Sequence, residues 1–185
     1  HIPEIIFNSN DGQSHLVRDV RFSYKEKRWR AQAALIDIQP FVSLATLDKN
    51  RFADTNGWLR QSGMRGQLNR LSAYGDSKNS TWHISGTSKA LGFNPVVNSP
   101  GIEGINGSFI ADQDGGVIRI DASQSILDWP VAYGRRIDSQ LNGAVSWWRS
   151  GPAWEFGSHS LHWQGDGLAM DIDAQMRFAP DLKAP

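Results

Sequence analysis

The feature that most constrains this chain is a strict two-residue alternation close to its C-terminal end. Between Leu168 and Phe178 all even positions are apolar, and the odd positions from Asp171 to Arg177 are polar. Successive side chains of a β-strand point to opposite faces of the sheet, so a period of two indicates a strand. The pattern therefore predicts a long strand with one apolar and one polar face.

The same alternation appears near the N-terminus, where we predict a hairpin. Its first strand would place Leu16, Val20, Phe22 and Tyr24 on one face. A Lys-Glu-Lys turn at residues 25–27 then leads to a second strand over residues 28–38. Further hairpins are predicted around Asp114-Gly115-Gly116 and Ser150-Gly151-Pro152, because glycine and proline allow a chain to reverse sharply.

A helical passage interrupts the predicted strands. Pro40 suits a first helical position, and Phe41 and Leu44 follow at helical spacing. The predicted fold class is mainly β: a long, curved, groove-like antiparallel sheet of successive hairpins, with one or two short helices inserted around residues 40–61. Residues 1–185 are expected to form one module, with a hairpin plus helices in residues 1–62 and successive hairpins in residues 63–185.

Composition and motifs disfavour several classes of function. The 19 basic residues are balanced by 19 acidic ones, which leaves no surplus of positive charge for nucleic acid. The chain has no cysteine, and no window is apolar enough for a membrane span. We predict no catalytic residue, metal site or cofactor, and the chain is not expected to be an enzyme.

Three groups of residues have the residue types of chemical sites. His159 and His162 are three apart, which would place them on opposite faces of a regular strand, so they are not expected to share a metal. Asp171 and Asp173 have the residue types of a glycosidase carboxylate pair or a cation site, but they are predicted to lie on the solvent-facing side of their strand. The eight tryptophans could stack on sugars or supply buried area, and the adjacent Trp147 and Trp148 should face opposite sides of the sheet.

A one-sided sheet must cover its apolar face with a second sheet, a helix or a ligand. An uncovered concave face would form a groove suited to acyl chains, whereas a covered face would be an ordinary core. Both interpretations remain open from the sequence. The candidate groove residues are Leu168, Met170, Ile172, Met176 and Phe178, together with Leu141 and Val145 of the preceding hairpin.

Several runs of residues resemble the central region of the YhdP/AsmA-like family of Gram-negative envelope proteins. The most specific is Ser-Pro-Gly-Ile-Glu-Gly-Ile-Asn-Gly-Ser-Phe at residues 99–109. Others are Arg-Gly-Gln-Leu at 65–68, Leu-Asn-Gly-Ala-Val-Ser-Trp at 141–147 and Trp-Glu-Phe at 154–156. The resemblance covers residues 14–180 and rests on modest motifs, none of which is a catalytic signature.

The resemblance implies an interior segment of a long periplasmic protein that is anchored in the inner membrane. It implies a lipid-groove module that conducts phospholipid between the two membranes, with acyl chains against the apolar strand face. The expected partners are those acyl chains and neighbouring β modules of the same chain, with membrane contact only through parts outside this segment. The alternatives are an envelope scaffold that moves no lipid and, third, a carbohydrate-binding β protein.

Overall fold

A computed structural model describes residues 1–8, 12–45, 57 and 60–178. They include ten β-strands, two helices that are described from end to end, and further helical residues at positions 57 and 60–62. The strands are β1 Ile2–Asn8, β2 Ser14–Lys25, β3 Arg28–Asp37, β4 Arg65–Asp76, β5 Thr81–Phe93, β6 Gly101–Asp112, β7 Gly115–Asp128, β8 Arg136–Ser150, β9 Ala153–Gly165 and β10 Leu168–Phe178. The helices are α1 Gln39–Ala45 and α2 Pro130–Tyr133.

All ten strands belong to one sheet, and their order in the sheet is their order in the chain. Every neighbouring pair is antiparallel. The β2–β3 turn uses Glu26 and Lys27, both at positive φ, and the β8–β9 turn uses Gly151 at φ 62°. The predicted succession of antiparallel hairpins is therefore confirmed.

The helical insert lies where the sequence predicts it. Helix α1 begins directly after β3, where the Gln39 N–H donates to Asp37 Oδ1 at 3.4 Å. Residues 60–62 are also helical, whereas residues 46–56, 58 and 59 of the predicted passage lie outside the described part of the chain. Two elements were not predicted: α2, which lies between β7 and β8, and the edge strand β1, whose Pro3 breaks the usual strand pattern.

Several strands contain a residue in the left-handed backbone conformation, with positive φ. Pairing registers shift beside Arg70 in β4, Ala90 in β5 and Ser160 in β9, all of which have φ close to 50°. Gly104 and Gly143 adopt positive φ inside β6 and β8. Such β-bulges bend a strand and increase its right-handed twist, so a sheet that carries them in most strands cannot be flat.

The sheet buries little apolar bulk. Among the described residues, five of the nine buried apolar side chains are alanines. The fold therefore depends more on long hydrogen-bonded ladders than on a closed interior.

Tryptophans lie over glycines of the sheet and fill the space that a missing side chain leaves. A Cβ on Gly75 would come within 2.8 Å of the Trp29 ring, and one on Gly157 within 3.2 Å of Trp148. Gly116 pairs with Trp147, and a Cβ added at Gly116 would likewise clash with the Trp147 indole. This covering of strand glycines by aromatic rings pins the register of neighbouring strands.

Gly143 provides a test of the bulge geometry. It has φ 137°, and a Cβ there would meet the backbone oxygen of Ser160 on β9. We expect Gly143→Ala to lower the free energy of unfolding by about 3 kcal/mol, because strain and overlap add. Gly151→Ala is the control, since its φ is also positive but nothing lies within 4 Å, and it should cost about 1 kcal/mol. Urea unfolding measures both, and equal losses would contradict the proposed role of Gly143.

An ionic clamp joins three alternate strands at one end of the sheet. Glu103 Oε1 of β6 lies 2.6 Å from Arg65 Nη2 of β4 and 2.7 Å from Arg136 Nη2 of β8. Arg65 also donates to Asn94 Oδ1 at 2.9 Å. Two of the family-like motifs, around residues 65 and 103, thus meet in space.

Removing the shared carboxylate should weaken this clamp. We expect Glu103→Gln to lower the free energy of unfolding by about 0.5–1 kcal/mol at low salt and by less at high salt, because the groups are partly exposed. Glu4→Gln, which removes a single exposed pair with Arg18 at 3.4 Å, is the control and should change stability by only a few tenths of a kcal/mol. A salt-independent loss at Glu103 would contradict an ionic role.

Candidate functional site: the apolar face of the sheet

One face of the sheet carries an unbroken row of apolar or glycine residues across nine strands. Directly paired residues of neighbouring antiparallel strands place their side chains on the same face. The row runs from β2 to β10 through Phe22, Ala31, Ala73, Ile84, Ala111, Gly116, Trp147, Phe156 and Met176. Eight strand spacings of about 4.8 Å make it roughly 38 Å long. We call this side of the sheet the apolar face.

A second row on the same face runs from β1 to β8. Its members are Ile5, Val17, Ile36, Leu68, Ser88, Gly107, Ile120 and Gly143. Gly107 and Gly143, which are 36 residues apart in the chain, flank Ile120 from either side. The prediction that Leu16 shares the face of Phe22 is wrong. Val17 lies on that face instead, because Asp19, between Val17 and Phe22, adopts a left-handed conformation.

The opposite side of the sheet, called here the polar face, is mostly hydrophilic. The row next to the nine-strand row holds Arg21, Gln32, Ser72, Ser85, Ile110, Val117, Ser146, Gly157 and Gln175. The contrast between the two rows shows that the alternation seen in single segments is coherent across the whole sheet.

The register brings the candidate groove residues together on the apolar face. Met170 pairs with Trp163, which pairs with Leu141. Ile172 pairs with Leu161, and Met176 belongs to the nine-strand row. The remaining candidates join the face through their partners: Val145 pairs with Ser158, Leu168 with Gly165 and Phe178 with Trp154. The side chain of Phe178 lies outside the described part of the structure.

The candidate side chains are partly or largely exposed. Leu168 is 59% exposed, Met170 41% and Met176 57%. Leu141, Val145 and Ile172 are half-buried. Among the described residues, extensive contacts between elements join only neighbouring strands. In the region that the structure describes, the apolar face thus meets no second sheet.

Sequence reasoning named groove candidates only in the C-terminal part of the apolar face, and it did not extend the groove to Phe22 and Tyr24, which it had placed on one face of their strand. Tyr24, Trp29 and Trp82 lie on this face at the end where the β2–β3 and β4–β5 turns lie, and Tyr24 is 60% exposed. Trp147 lies on the apolar face and Trp148 on the polar face, as expected for adjacent strand residues. The clustering of aromatic residues depends on register, which no single segment reveals.

Hydroxyl groups on the apolar face are bonded within the sheet. Ser158 Oγ donates to the Ile172 oxygen at 3.0 Å and accepts the Ala174 N–H at 3.1 Å, bridging the irregularity between β9 and β10. At one end of the face His15 is buried, and its Nδ1 lies 3.1 Å from Asp37 Oδ2. The Ser158 hydroxyl and the His15–Asp37 pair therefore have partners within the sheet.

The carboxylates considered as chemical sites have local structural partners. Asp171 Oδ1 lies 2.8 Å from His162 Nδ1, and Asp173 Oδ1 accepts the Ser160 N–H at 2.9 Å. Asp112 Oδ1 accepts the N–H groups that open the β6–β7 turn, as the turn prediction requires. Within residues 1–8, 12–45, 57 and 60–178, no group of three metal-ligating side chains comes together.

In the part of the chain that the structure describes, the molecule is a β protein with a single antiparallel sheet and one continuous, partly exposed apolar face. The profile of the YhdP protein family matches residues 1–184, and the chain belongs to that family. The family expected from the motifs is thereby confirmed. No curated protein and no solved structure matches the chain.

None of the helices among the described residues is long and apolar enough to cross a membrane.

Exposure of the apolar face can be tested by polar substitutions. We expect Leu168→Ser and Met176→Ser each to lower the free energy of unfolding by less than about 1 kcal/mol, since these side chains already meet solvent. Ile137→Ala is the control, because Ile137 is only 3% exposed and its truncation should cost about 2–4 kcal/mol. Losses at residues 168 and 176 as large as the loss at 137 would show that the face is covered.

Proposed function

We propose that this chain is a periplasmic lipid-groove module of an AsmA-like envelope protein. It would conduct phospholipid between the inner and outer membranes, with acyl chains lying on the apolar face. The observation that carries the proposal is the nine-strand apolar row, which continues to the exposed residue Met176 of the edge strand β10. Membership of the YhdP family supports an envelope role.

The energetics of an exposed apolar row favour acyl chains as its ligand. Each methylene group removed from water gains about 0.8 kcal/mol, without a directional requirement. Contiguous apolar surface of this extent is rare on soluble proteins unless it binds something. Met170 and Met176 add flexible, polarizable side chains that adapt to acyl chains of varied conformation.

The opposite face supports passive conduction. Its polar side chains can stay in water while the apolar face holds the acyl chains, so lipid binding would not require desolvation of the polar face. Sliding along such a surface breaks and forms no covalent bond. The proposal therefore assigns no catalytic residue and no cofactor to this chain.

The two edges of the sheet suit neighbouring modules. The outer sides of β1 and β10 carry backbone groups that pair with no other strand in the described part of the chain. Such edges readily accept a further strand. Neighbouring β modules of the same chain would extend the apolar face, which also fits the alternative of an envelope scaffold that moves no lipid.

Site-specific photo-crosslinking in cells tests the proposal. Crosslinking residues placed at Ile172 and Met176 in the full-length protein should capture phospholipid, because both positions lie on the apolar face. Asp171 and Gln175 are matched controls on the polar face of the same strand and should capture at least about tenfold less. Mass spectrometry of the crosslinked species measures the capture.

Two outcomes would overturn lipid conduction. Absence of lipid at positions 172 and 176, together with no phospholipid carried by the purified chain in native mass spectrometry, would leave the scaffold as the better account. Equal capture on both faces would show non-specific labelling. Sugar binding by the purified chain would instead favour the carbohydrate reading.

A further inference from the structure

A small polar cluster interrupts the apolar face near the β9–β10 turn. Two adjacent rows meet there. One pairs Ser125 with Ser139, and the next pairs Leu141 with Trp163 and Trp163 with Met170. Ser125 is 2% exposed, Ser139 7% and Trp163 6%, so all three are buried although neighbouring parts of the face are open.

The two hydroxyl groups in this cluster satisfy each other. Ser125 Oγ lies 2.9 Å from Ser139 Oγ and 3.0 Å from the Ser139 carbonyl oxygen. Ser139 Oγ also approaches the Ser125 carbonyl oxygen at 3.4 Å. Both hydroxyl groups therefore have hydrogen-bond partners within the sheet.

The indole of Trp163 differs from the serines. Its Nε1 is a buried donor for which the described residues supply no acceptor. A Cβ built on Gly165 would lie 2.9 Å from Cζ2 of this ring, and Cζ2 is two bonds from Nε1. The N–H edge of the ring therefore lies on the Gly165 side of the apolar face, close to Ser139. A buried donor without a partner is uncommon and points to an acceptor that arrives from outside the chain.

We propose that Trp163 Nε1 donates a hydrogen bond to the ester carbonyl oxygen of a bound diacyl lipid. This inference rests on the proposed function and specifies a resting position along the apolar face. A neutral carbonyl suits a donor in apolar surroundings, because a phosphate would have to lose its hydration beside Leu141 and Met170. The acyl chains would then extend over Ile172 and Met176.

Exposed side chains flank the indole at the edge of the sheet. Met170 is the direct cross-strand neighbour of Trp163, and it is 41% exposed. Leu168, one pair further along, is 59% exposed. An unbranched thioether changes rotamer easily, so movement of Met170 can admit a carbonyl group to Nε1.

A comparison of two lipids tests the hydrogen bond directly. The probes are a diester phosphatidylethanolamine and its diether analogue, which has the same headgroup and chain length but no carbonyl groups. The unaltered protein should bind the diester about three- to tenfold more tightly. Trp163→Phe keeps an aromatic ring and removes the donor, so it should abolish the difference between the two lipids.

Trp148→Phe is the matched control, because it makes the same change on the polar face and should preserve the preference. If Trp163→Phe fails to fold, the indole N–H resonance of Trp163 in the unaltered protein provides the readout. It should shift with the diester and not with the diether. Equal binding of both lipids by the unaltered protein would overturn this inference and leave lipid conduction intact, whereas binding of neither would overturn the proposed function.

Discussion

The backbone ladder between consecutive strands is the constraint on which this structure depends. Burial is confined largely to alanines and a few larger side chains, so neighbouring strands must be held by hydrogen bonds and by contacts along each row. Tryptophans packed over glycines and the clamp around Glu103 add specificity to that ladder. Because register fixes which side chains share a face, the ladder also creates the apolar surface. Stability and the candidate function thus arise from the same pairing.

The bulges give this surface its continuity as well as its shape. Arg70 in β4 and Asp19 in β2 take left-handed conformations, and the alternation of their strands changes phase there. Without that change, Val17 and Phe22, five residues apart in β2, would fall on opposite faces. The left-handed residues therefore allow apolar side chains that are an odd number of residues apart to lie on the same face of the sheet. Bending of the sheet follows from the same local conformations.

The sequence predicted much of the fold and part of the candidate site. The alternation from Leu168 to Phe178 and the turn at Ser150-Gly151-Pro152 depend on local chemistry, and both strand bounds and turn match. Bulges at residues such as Arg70 and Ser160 could not be predicted, because non-glycine residues there carry no local signal and the partner strand dictates the conformation. Exposure of Met176 depends on whether a second layer exists, which is a property of the whole fold. The N-terminal half of the apolar face was not named as part of the groove, because the register that joins its strands to the rest of the sheet cannot be predicted from one segment.

The strict neighbour-to-neighbour order of the ten strands has a consequence for how the sheet forms. Each strand finds its partner within one turn or one short connection of its own position, apart from the helical insert between β3 and β4. Loop-closure entropy is then small at every step, and contacts are unusually local for an all-β protein. A growing sheet would offer each new strand an edge that is already formed. Such a chain can assemble progressively from one end, and it can be lengthened in evolution by adding hairpins without rearranging those already present.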